Sequence, residues 1–64
     1  MLIITATDTG TNGPIYFPAT CILAYWPNKD DPTKTTIRHQ FTGSAAYQSV
    51  YDGTVDDLTA LLTS

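Results

Sequence analysis

The sequence predicts an α+β domain: a small twisted antiparallel sheet, or partly open barrel, of four to five strands with one C-terminal helix. Three observations lead there. Short β-branched and aromatic runs recur along most of the chain, split by turn-forming Gly, Pro, Asn and Asp. The apolar period changes from alternation to helical spacing only after Gly53, where Val55, Leu58, Leu61 and Leu62 fall on one stripe. The length, 64 residues without an internal repeat, fits one unit, expected as a single domain over residues 1–64.

A first strand is expected over about 2–8, aliphatic and β-branched, and a second over 14–17, paired across the turn sequence TGTNGP. Pro18 then interrupts, because it has no N–H to give a ladder. The bulky run CILAYW predicts a third strand over 21–26, and PNKDDPT, residues 27–33, is the most polar stretch and the clearest loop. KTTIRHQF, 34–41, alternates and is followed across TGS by AAYQSVY, 45–51, which together predict a second hairpin. The helix is expected over about 55–63. Thr54 precedes Asp57 by three residues, so its hydroxyl can accept the N–H of Asp57 while the Asp57 carboxylate accepts the N–H of Thr54. Asp56 and Asp57 occupy the first turn, where negative charge complements the helix dipole. The adjacent acidic pair therefore reads as a helix start rather than a catalytic pair. So short a helix does not persist alone, and its stripe must dock on the sheet.

Size and composition narrow the function. A domain this small buries only about 60% of the surface that its unfolded chain exposes. Disulfides, a structural metal or association are the usual remedies. Cys21 is the sole cysteine and His39 the sole histidine, which removes an intramolecular disulfide and a multi-thiolate zinc site; association is left. With a net charge of −3 and only Lys29, Lys34 and Arg38 as cations, neither non-specific nucleic acid binding nor an anionic membrane surface is expected. MLIITATD has no basic lead and only three consecutive aliphatic residues, so a cytoplasmic location is expected, the host cytoplasm if the protein is viral.

The order of parts resembles a known pattern: a short strand, Gly13-Pro-Ile-Tyr-Phe-Pro18, an aromatic strand with Ile22, Thr-Thr-Ile37, a turn at Gly43 or Ser44, Tyr47, and the closing Val55 to Leu62. It is similar to the small flagellar and swarming-motility proteins of the FlbD type and to similar short bacteriophage proteins. The resemblance implies a fold of this kind and an accessory role, in a phage or prophage or in motility.

Candidate chemistry is sparse. Cys21 as a nucleophile would need His39 as its base, without nameable oxyanion donors, so it is expected to be a small packing residue. His39 alternates with Ile37 and Phe41 and is expected on their face of the fourth strand, as a core or interface residue rather than a metal ligand. Gly10 and Gly13 lack the spacing and lysine of a phosphate loop, and Asp30 and Asp31 lack the further oxygen ligands that calcium requires. No cofactor and no metal is expected. The aromatic pairs Tyr16-Phe17 and Tyr25-Trp26 must place one ring on each face of a strand, and Tyr and Trp are enriched at interfaces. The expected function is a non-enzymatic, self-associating interaction module that binds a host or viral protein, with Tyr16, Tyr25, Trp26 and Tyr47 as interface candidates. The alternative is a small-ligand binder, holding a nucleotide signal between protomers through ring stacking with Lys34, Arg38 and His39.

Overall fold

Strands β1 (Ile3–Asp8) and β2 (Pro14–Pro18) form the first hairpin, in a computed structural model that describes residues 1–64. Its turn needs one left-handed residue, and Asn12 supplies it at φ 57°, a conformation that Asn tolerates. The Asp8 N–H donates to the Gly13 carbonyl at 2.9 Å and the Asn12 N–H to the Asp8 carbonyl at 2.8 Å. Pairing of Ile4 with Phe17 and of Ala6 with Ile15 places these four side chains on the inner face, while Thr5 and Tyr16 share the outer one.

Strands β3 (Ile22–Pro27), β4 (Thr35–Gln40) and β5 (Ala46–Tyr51) form an antiparallel meander, and α1 (Val55–Thr63) closes the chain. The strand order is β2-β1-β5-β4-β3, all antiparallel, with β1 joined to β5 through Thr7–Val50 and Asp8–Ser49. The sheet is open: no ladder joins its edge strands β2 and β3, which are linked only by a three-residue 3-10 turn, Ala19–Cys21. Every strand differs from the sequence reading by one residue at one or both ends: Leu2, Lys34, Phe41 and Ala45 lie outside the ladders, and Pro27, read as the first loop residue, is the last of β3, opposite Thr35. Two of the shifts have a clear cause. Pro18 is the last ladder residue of β2, opposite Ile3, because an edge strand can spare a donor. Cys21 belongs to the turn rather than to β3, since the chain must reverse there and the Ile22 N–H bonds back to the Ala19 carbonyl.

The inner face decides the packing. In a flat sheet β2 and β4 would stand about 14 Å apart, three strand spacings. Yet the Phe17 ring of β2 stacks on the His39 ring of β4 at 4.2 Å between centroids. The sheet therefore curls over its own inner face, and α1 docks there through Leu58, which is fully buried with Ile4, Ala6, Phe17 and Ile37. Burying a leucine of this kind contributes about 1.5–3 kcal/mol. Nine residues of the chain are buried, and four of them, Thr35, Thr36, His39 and Ser49, are polar, so the apolar core is thin. The helix start carries a complete capping box: Thr54 Oγ1 accepts the Asp57 N–H at 3.1 Å, and Asp57 Oδ2 accepts the Thr54 N–H at 3.0 Å.

Candidate functional site

Alternation along β4 and β5 sets the chemistry of the inner face. His39 and Tyr47 stand opposite one another, Ile37 opposite Ser49, so all four point inward. Tyr25 also faces inward on β3, opposite Ile37. His39 is fully buried: Phe17 stacks on its ring, Phe41 and Tyr47 lie 5.4 Å and 6.3 Å away, and its Nε2 is 2.7 Å from Ser49 Oγ. Its Nδ1 has no partner. Burial pushes the His39 pKa below its usual 6.5, and the negative charge of Asp8 opposes this only in part. Burial thus favours the neutral ring.

A Ser–His pair at this distance is the geometry of an activated nucleophile. Here both residues are fully buried in the curl of the sheet. Cys21 is half-buried in the 3-10 turn, and the residue opposite His39 in the ladder is Ile22. No hydrogen bond joins Cys21 to His39, and no cluster of three His, Cys, Asp or Glu side chains could hold a metal ion.

The interface candidates do not form one patch. Tyr16 and Trp26 are both exposed on the outer face but belong to opposite edges of the sheet. Tyr25 packs against the core, and its hydroxyl is 2.9 Å from Thr59 Oγ1 of the helix. Tyr47 is partly exposed on the inner face. The ligand candidates are dispersed as well. Lys34 Nζ lies 3.5 Å from Asp52 Oδ1, Arg38 is exposed on the outer face beside Ala24 and Gln48, and His39 is inaccessible. Asp31 serves its own loop: bonds from the Thr33 hydroxyl and N–H hold its carboxyl below the usual carboxylate range.

Two concave regions remain. The larger, about 570 Å³, lies between the 3-10 turn, β3 and the end of α1 and is lined by Ala19, Thr20, Ile22, Leu23, Ala24, Tyr25 and Leu62. The smaller, about 420 Å³, opens at the far end of the inner face between Asp8, Ile15, Phe41, Thr42, Ser44 and Tyr47. Sequence reading missed the parts played by Asp8, Phe41 and Ser49. The alternation Tyr47, Ser49, Tyr51 carried a signal for Ser49, which becomes readable once the β4–β5 register is known. No protein-family model, no curated protein and no solved structure matches this chain.

Proposed function

We propose that the protein is a non-enzymatic module that self-associates through the free edge of β3. The observation that carries this reading is the contrast between the two sheet edges. Exposed edges are templates for pairing, and proteins guard them with proline, charge, bulges or cover. The β2 edge has Pro14 and Pro18 at its two ends. The β3 edge, ILAYWP, has no charged residue; its only guards are Pro27 at one end and the bulge at Leu23 near the other. Leu23, the extra residue where the β3–β4 register shifts, is 55% exposed there and borders the larger cavity. Exposed apolar side chains beside unpaired backbone favour a second strand, and another copy supplies one. The thin core adds a thermodynamic reason, since association adds buried area that a chain of this size lacks.

An accessory role in a phage, a prophage or a motility system, within the cytoplasm, is the setting that the resemblance to the FlbD type suggests. No helix is long and apolar enough to cross a membrane. Size exclusion with light scattering tests the reading. The wild type should run above the 7.0 kDa of one chain, and Leu23→Glu or Trp26→Ala should shift it toward that mass, while Tyr16→Ala on the other edge leaves it unchanged. A wild type that stays at one chain mass at high micromolar concentration refutes it.

A further inference from the structure

The smaller cavity has a composition that selects a ligand by charge. Its walls include two aromatic rings, Phe41 from just beyond β4 and Tyr47 from β5, and the aliphatic side chain of Ile15. The buried ring of His39 neighbours both aromatics, 5.4 Å from Phe41 and 6.3 Å from Tyr47. At the border stands the half-buried Asp8, whose Oδ2 accepts the Thr11 hydroxyl at 3.0 Å. No cation pairs with Asp8, because the single ion pair of the molecule is Lys34–Asp52. Lys29, Lys34 and Arg38 are all missing from the lining. A phosphate or carboxylate would meet this carboxylate with nothing to neutralise it. A positive group would meet two aromatic residues and one unpaired negative charge.

We propose that this cavity binds a compact organic cation, an alkylated ammonium head held against Phe41 and Tyr47 with Asp8 as its counter-charge. Its volume of about 420 Å³ lies within the range of small-molecule sites. The chain's net charge of −3 draws cations toward the surface before contact is made. The chemistry is shared by a free quaternary amine and by a methylated lysine side chain on a partner protein. This site is independent of the β3 edge, which lies along another border of the sheet.

Amide chemical shifts of the ¹⁵N-labelled protein test the proposal with four probes: choline, its neutral isostere 3,3-dimethylbutan-1-ol, and a short peptide carrying either trimethyllysine or norleucine. Choline or the trimethyllysine peptide should give saturable shifts centred on Asp8, Phe41, Ser44 and Tyr47, with each neutral counterpart at least tenfold weaker. Saturation by free choline marks a free amine as the source of the ligand; saturation by the peptide alone marks a protein side chain. Asp8→Asn retains an acceptor for Thr11 and should weaken the cation at least tenfold while leaving the isostere unaffected. Tyr47→Leu keeps an apolar wall without the ring and should weaken the cation similarly. Equal binding of cation and isostere, shifts centred elsewhere, or no saturable shift with either cation overturns the proposal.

Discussion

Removing one hydroxyl at Ser49 should cost more than any surface change in this molecule. Ser49 Oγ is the only partner of His39 Nε2, at 2.7 Å, and both side chains are fully buried. Since Nδ1 already lacks a partner, Ser49→Ala leaves the imidazole with no hydrogen bond at all. An unsatisfied buried group of this kind costs about 1–3 kcal/mol. A chain of this length has a total stability of roughly 3–10 kcal/mol, so the loss is a sizeable fraction. His39→Phe in the same background removes the orphaned nitrogens and keeps a ring against Phe17. The double variant should therefore recover to within about 1 kcal/mol of wild type, because replacing both partners by apolar groups is nearly neutral. That amounts to strong coupling in a double-mutant cycle. Urea unfolding followed by Trp26 fluorescence supplies the measurement.

The same pair predicts a pH effect. The unfolded imidazole takes up a proton near its usual 6.5, whereas burial holds the folded pKa lower. Below pH 6.5 the unfolded state therefore binds more protons, and stability falls with pH until the folded pKa is passed. Wild type should lose stability as pH falls through the usual 6.5 of an unfolded imidazole, and the double variant should lose much less. A Ser49→Ala cost under about 0.5 kcal/mol, below the usual range for a lost hydrogen bond, or an additive cycle, would refute the reasoning.

Two further changes address the helix. Thr54→Ala removes the capping hydroxyl and should cost about 1 kcal/mol, while Asp56→Asn, which only trims the dipole interaction, should cost less; a larger loss at Asp56 in urea unfolding would contradict the helix-start reading. Leu58→Ala opens a cavity where the helix meets the sheet and should cost about 2–5 kcal/mol by the same measurement, since Leu58 is fully buried.

Local chemistry made the elements legible in the sequence. Alternation of Ile37, His39 and Phe41 marked β4, the turn residues at Asn12 and Gly43 marked the hairpin reversals, and Thr54 with Asp57 marked the start of α1, because each of these signals acts between residues a few positions apart. The inward direction shared by Ile37 and His39 follows from the same two-residue period. Register and curl were not legible, because they depend on how strands distant in sequence meet. Only the tertiary structure brings Phe17 onto His39 across three strand spacings, places Ser49 within hydrogen-bond reach of that ring, and gathers Asp8, Phe41 and Tyr47 around one cavity. It also separates Tyr16 from Trp26, which the sequence offers as equivalent exposed rings, because a strand's place in the sheet order, not its composition, decides which edge it occupies.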